Sequence, residues 1–324
     1  MRTDHVAGAW FGLFSVVAVV AVPVAACGGA PSDSDANTPA TPSDPSTLAV
    51  APPDPAELQA VTTIVGEMRD PHRCNRLTGC PGHLALMQRG PLAVPALVAI
   101  VTEHRRADGY WLEMLIDLLG QLDDARPLPL LGELAMDPRW GIRVAAIRAI
   151  GRLARHVGPA LAERLAQSLA AAEADTAWQA ALHFALARID PTHRELHHKA
   201  LAALIPRERA AVEAIPNPML DVTISLCGEA RLPETAIGIR FAALSTNRFV
   251  SVTAAQTLAV FRDTGAIPYL LTRLEDPNPG IRRAALAALQ EITGNRDETR
   301  PDAWRTWAKR YHLDTLPGAP APSP

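Results

Sequence analysis

From residue 54 onward, apolar residues recur at helical spacing. Leu58, Val61, Ile64 and Val65 form one face of a helix predicted over 54–68. Ile267, Leu270, Leu271 and Leu274 do the same within 263–275. Asp276-Pro277 then stops that helix and starts another, where Ile281, Ala284, Ala285, Ala288 and Leu289 repeat the spacing. The pattern is also self-similar. Residues 137–150 and 276–289 share eight of fourteen positions, and two more exchange Ile for Leu. Pro95-Ala96-Leu97, Pro129-Leu130-Leu131, Pro159-Ala160-Leu161 and Pro268-Tyr269-Leu270 each open an apolar helical stretch. Their separations are 34, 30 and 109 residues, the last leaving room for about three drifted units. Each unit reads as two helices that cannot bury an apolar face alone and must stack on neighbours. The expected fold is therefore one elongated all-α solenoid of about six to seven helix pairs. The rhythm is weak over 190–245. Pro206, Pro216 and Pro218 break it, predicting a longer helix or an inserted loop within 193–218.

A proline in the first helix, an aspartate in the turn and Ile-Arg at the start of the second helix make up the repeated motif. Asp137 with Arg143, and Asp276 with Arg282, occupy those places. This motif resembles the HEAT repeat family, including the shorter HEAT-like repeats related to phycobilin lyase subunits, over roughly 83–312. The resemblance implies a right-handed α-solenoid in which the Asp–Arg pair links turns of adjacent units. It also implies a concave face lined by the second helices. Trp140, Arg148, Trp178 and Arg248 fall on such helices and become the expected partner contacts, with a place in the core as the equal alternative for Trp178. Pro301-Asp302-Ala303-Trp304-Arg305-Thr306-Trp307 resembles the closing helix of bacterial HEAT-like proteins, so Trp304 and Trp307 are expected to cap the open end. The helix over 54–68 would cap the other.

The first residues carry a different message. Val6 to Ala26 is an apolar run interrupted by Pro23, and it ends at Val24-Ala25-Ala26-Cys27. Small residues before a cysteine resemble a bacterial lipoprotein lipobox. That implies a signal peptide over 1–26 and lipid on Cys27. Gly28, in place of an aspartate, points to the outer membrane facing the periplasm in a two-membrane cell. An uncleaved membrane-spanning helix is the competing reading, since the run is long enough to cross a bilayer. Residues 27–53 are rich in Pro, Ser, Thr, Ala and Asp and read as a mobile tether; 313–324 read as a disordered tail. The solenoid is then confined to 54–312.

Composition agrees with close-packed helices: 48% hydrophobic residues but only 5% aromatic. The net charge of −3 gives no general attraction for nucleic acid. Cys74 and Cys80, outside the cytoplasm, would form a disulfide contributing about 2 kcal/mol. The alternative is a metal set of His72, Cys74, Cys80 and His83. His193 and His197, four apart, offer a second metal pair, against the plainer reading of a solvated helix face. Cys227 lies in an apolar stretch and is expected to be a buried free thiol. HEAT-type deoxyhypusine hydroxylases carry His-Glu pairs in several repeats, and no His-Glu dipeptide occurs here. Nor does a nucleophile elbow, phosphate loop or dinucleotide fingerprint. The expectation is a non-enzymatic protein-binding scaffold or adaptor. It has no cofactor and no small-molecule substrate, meets the membrane through its lipid, and has a protein partner of unknown identity. A metal-binding protein or a structural envelope spacer are the alternatives.

Overall fold

The computed structural model describes residues 51–70, 74, 80–107, 110–172, 175–296 and 298–313. Within them the chain is helical with no strand. The helices are α1 (Pro55–Met68), α2 (Pro81–Arg89), α3 (Val94–Glu103), α4 (Tyr110–Leu119), α5 (Leu128–Leu134), α6 (Trp140–Arg152), α7 (Pro159–Ala171) and α8 (Thr176–Ile189). They continue as α9 (Arg194–Ala203), α10 (Arg209–Ala214), α11 (Asn217–Ala230), α12 (Ala236–Ala243), α13 (Arg248–Phe261), α14 (Ile267–Arg273), α15 (Pro279–Thr293) and α16 (Pro301–Arg310). Short 3₁₀ turns lead into several of the outer helices.

Local chemistry sets these boundaries. The Asp54 carboxylate accepts from the Ala56 and Glu57 amides at the start of α1. Asp175, Asn247 and Asn278 cap α8, α13 and α15 in the same way. Proline sits at the first or second position of α3, α5, α7 and α14, where its missing N–H costs nothing.

The inner helices α4, α6, α8, α11, α13 and α15 pack side by side in succession. Outer helices α3, α5, α7, α12 and α14 pair with α4, α6, α8, α13 and α15. The irregular unit keeps its inner helix α11, but its outer half is two short helices: α9 lies on α8, and α10 lies on α12. This resolves the choice left open for 193–218. The fold is an all-α solenoid of six inner–outer units. At its ends, α1 packs on α3 with α2 lying on α1, and α16 covers α14. Trp304 of α16 is fully buried and donates its indole N–H to the Glu298 carbonyl at 3.2 Å. Trp307 meets it edge to face at 5.6 Å.

Small residues allow the inner row to close up. A Cβ placed on Gly120 would stand 2.5 Å from the Cα of Ala149 in α6, and one on Gly151 would stand 2.9 Å from the Cα of Ala185 in α8. Backbones therefore touch where each inner helix ends. Gly120→Ala is expected to lower stability by about 1–3 kcal/mol through overpacking. Gly66→Ala, in open space within α1, should instead raise it by about 0.5–1 kcal/mol. Denaturant midpoints of the two variants should move in opposite directions.

Candidate functional site

Three successive inner helices carry a tryptophan in their first turn: Trp111 in α4, Trp140 in α6 and Trp178 in α8. Each is half-buried against the core. Arginines accompany the row. The Arg69 guanidinium lies 4.2 Å from the Trp111 ring centre and that of Arg143 lies 4.3 Å from the Trp178 ring. The Trp178 indole N–H and Arg143 Nε are buried and have no acceptor among the described residues. Between Trp111 and Trp178, a shallow depression is lined by Ala107, Glu113, Pro138, Arg139, Trp140 and Ile142. A second, lined by Arg105, Arg106, Glu133 and Asp137, shares Pro138 and Arg139 with it.

Arginines also hold the turns of this edge in register. Arg139 donates to the Ala107 carbonyl at 2.9 Å and the Arg105 carbonyl at 2.5 Å in the preceding unit, while its own neighbour Asp137 accepts from Nη2 at 2.8 Å. Arg143 donates to the Asp137 backbone carbonyl at 3.1 Å and to the Asp175 carboxylate of the next unit at 3.0 Å. The second copy of the motif behaves alike. Arg282 donates to the Asp276 carbonyl at 2.7 Å, while the Asp276 carboxylate accepts from Arg273 at 3.0 Å. Arg143 thus links adjacent turns as the motif implies, through the Asp175 carboxylate of the next unit. Within a unit, each motif arginine takes its aspartate's backbone carbonyl, while Arg139 and Arg273 take the Asp137 and Asp276 carboxylates. Links to the preceding unit come from Arg139 and from Arg273, which donates to the Ala243 and Ser245 carbonyls.

Arg148 is not a surface contact. It is 2% exposed, because its partners close over it. Arg148 Nε donates to Glu229 of α11 at 2.9 Å and its Nη2 to Ser225 Oγ at 3.3 Å. Arg152, one turn on, donates to both Glu229 oxygens at 2.7 and 2.9 Å and lies 2.8 Å from Asp117 of α4. Two arginines and two carboxylates from α4, α6 and α11 therefore fill the middle of the concave side, across α8. Burial disfavours the charge on Glu229 and Asp117. Arg152 and Arg148 outweigh it and hold both carboxyls below their usual range. Burial keeps nearby His83 of α2 neutral to lower pH than a free histidine, Asp117 opposing and Arg152 adding to that effect.

His193 and His197 are not brought together as ligands. His193 Nδ1 meets the Asp190 carboxylate at 2.6 Å. His197 Nδ1 instead faces His183 Nδ1 of α8 at 3.0 Å. Burial, with His197 alongside, pushes His183 down to about 4, and burial lowers His197 too. Among the described residues no three His, Cys, Asp or Glu side chains gather as a metal site. Cys74 and Cys80 are brought together, their Cα atoms 4.2 Å apart. Cys227 is buried and free in α11, and burial pushes its thiol well up. Arg248 is exposed at the start of α13, over the Phe249 ring at 4.6 Å. Cys27, His72, the 1–26 segment, nearly all of the tether and the tail beyond 313 lie outside the described residues.

Sequence reasoning missed Trp111, Asp117, Glu229 and His183. Trp111 had a usable signal, since it opens α4 as Trp140 opens α6. The others had none, because their partners lie on other helices.

The fold and this arginine-stapled edge define a helical-repeat protein, and comparison agrees. Residues 128–157 match the family profile described as HEAT repeat, and 241–303 match the one described as HEAT repeats. These matches support a HEAT-repeat family. Among solved structures the chain is similar to human deoxyhypusine hydroxylase in complex with glycerol, at 17% identity and a TM-score of 0.43. The likeness covers 74% of this chain and 98% of that one. No curated protein matches the chain in sequence.

Glu229→Gln leaves two buried arginines facing Asp117 alone and is expected to cost about 3–5 kcal/mol. Adding Arg152→Met restores the charge balance, so the double variant should lose less than the two single losses added, measured by urea unfolding. Acid should weaken the protein in two stages. His183 and His197 are favoured neutral in the fold, so their contribution is complete above the ordinary histidine range. It falls away as pH drops from about 6.5 towards 4. Asp117 and Glu229 are favoured ionised, so theirs persists to the carboxylate range and is lost below about 4. His83 adds to the first stage in the same direction. His197→Asn should shrink the first stage and leave the second unchanged in a thermal-melt series across pH.

Proposed function

We propose that this protein is a non-enzymatic scaffold or adaptor held at the cell envelope by lipid on Cys27. It would capture a protein partner along the edge of its inner helices. The observation that carries the reading is the row Trp111, Trp140 and Trp178 with Arg69 and Arg143 stacked on it. Tryptophan and arginine dominate the energetics of protein interfaces, because they combine large contact area with directional donors. Arg248 extends the same edge two inner helices further on.

The centre of the concave side is taken up by its own charges, so the partner would meet the edge and not the groove. Val24-Ala25-Ala26-Cys27 and the tether to residue 53 support export and lipidation, with the outer membrane facing the periplasm as the proposed place. In such a compartment Cys74 and Cys80 would be oxidised, pinning the segment between α1 and α2.

Crosslinking in intact envelopes, followed by mass spectrometry of what is captured, tests the scaffold reading. A reproducible partner is expected whose capture falls at least tenfold in Trp140→Ala/Trp178→Ala, compared at a temperature well below the variant's lowered melting point, where circular dichroism shows it folded. Capture that is indifferent to these changes would refute the edge as the binding surface. The anchor has its own readout. Intact mass should show acyl chains on Cys27, and Cys27→Ala should remove them. Thiol titration of the unfolded, unreduced protein should find Cys227 alone.

A further inference from the structure

The cap that leads into the tether carries an apolar stripe that none of the described residues covers. Pro81, Leu84 and Gln88 lie on one face of α2, and Pro91 and Leu92 follow in the turn after it; all five are exposed. Leu84 is 51% and Leu92 76% exposed, and Leu92 is the most exposed large apolar residue described. The stretch Pro81–Glu103 is the one described helical run apolar and long enough to cross a membrane by composition, yet its most apolar part is only 39% buried. Here it is split by the turn at Gly90–Ala93, and α3 turns its apolar face to the core. What remains outside is the stripe.

The charges around it are already engaged. Arg89 pairs with Glu57 of α1 at 3.2 Å. Arg126 pairs with Asp124 at 2.6 Å and donates to the Pro91 carbonyl at 2.7 Å. The stripe itself carries no ionised side chain, so no carboxylate on it would repel lipid headgroups.

We infer that this stripe rests on the lipid bilayer, seating the amino-terminal cap on the membrane that holds Cys27. The inference rests on the lipid-anchor reading above. What favours the bilayer as occupant is where the chain outside the structure ends. Residues 27–50 run directly into the cap at Ala51, and α1 packs on α2. A tether of that length has a root-mean-square span of about 27 Å. It holds the stripe at millimolar-order effective concentration near the surface, so two leucines and two prolines suffice where they would not recruit a free protein. Seating this end on the membrane leaves α16 and the later repeats projecting away from it.

The test places an environment-sensitive fluorophore on Gln88→Cys of the lipidated protein in phosphatidylethanolamine–phosphatidylglycerol vesicles. Emission should shift to the blue, and spin-labelled lipid should quench it at least threefold more than the same label on Leu196→Cys of α9. Leu84→Ser/Leu92→Ser should abolish both effects, with melting unchanged. A parallel sample carries the labelled chain from Gly28 on nickel-chelating vesicles through an amino-terminal hexahistidine tag, independent of acylation. A missing acyl mass with a lipid-exposed label in this second sample would sink the anchor reading and keep the stripe's affinity for bilayers. A label that stays in water on both vesicle types would overturn the inference.

Discussion

Contact between successive inner helices governs this molecule. Gly120 and Gly151 let the backbones of α4, α6 and α8 approach to a distance that no side chain could share. Alanine lines the facing positions, with Ala146, Ala149, Ala181 and Ala185 all fully buried. Alanine permits close approach without giving up helix propensity. The outer helices carry larger side chains and meet one another less, so the row bends towards its inner side. That bend brings α11 within reach of α6 across α8. The ion cluster of Arg148, Arg152, Asp117 and Glu229 is a consequence of it. In a straighter stack those groups would face water.

A buried cluster of this kind is costly unless every charge is matched. Here two guanidinium groups meet two carboxylates, and Ser225 and Gln121 supply further hydrogen bonds. Hydrophobic side chains could fill the same volume with equal stability, but they would not define how far the row bends. The arginines act as gauges instead. Their bonds to Glu229 form only when α6 and α11 stand at one separation. The turn staples fix the second coordinate, the register between neighbouring units. Arg139, Arg143 and Arg273 each reach about one unit along the chain to a carbonyl or carboxylate whose position the repeat dictates.

Local features of the fold could be read from the chain because they depend on near neighbours. The helix over 54–68, its Asp54 cap and the prolines opening α3, α5, α7 and α14 involve interactions a few residues apart. The Trp304 cap was legible for the same reason. The Asp–Arg motif was legible as a link between turns, which Arg143 makes to Asp175, but the second bond to the backbone carbonyl of its own unit's aspartate was not, since sequence does not show which carbonyls a turn exposes. Arg148 was misplaced because a helix-face argument sees only its own helix. Its partners Ser225 and Glu229 lie 77 and 81 residues away. His197 was paired with His193 on spacing alone, whereas tertiary packing gives it His183. Over 193–218 the prolines signalled an interruption without saying that two short helices would share one outer position.

Closing the centre of the concave side also decides which surface the proposed scaffold could offer a partner. A solenoid with an open groove presents the faces of its inner helices, and a partner can lie along them. In this chain the middle of α6 and nearly all of α11 are buried on every side, so little inner surface there is left to offer. What stays accessible is the edge where the inner helices begin, and that edge holds the half-buried tryptophans. The same close packing that hides Arg148 therefore places Trp111, Trp140 and Trp178 in one line, about one interhelical spacing of 8–10 Å apart. Rigidity of the line comes from the staples beneath it. Arg143 is bonded to the turns on both sides while stacked on Trp178, so the ring is held in place. A preordered aromatic edge loses little conformational freedom on binding. For the proposed scaffold, that would favour association through a narrow strip, where a flexible surface would need a larger area to reach the same affinity.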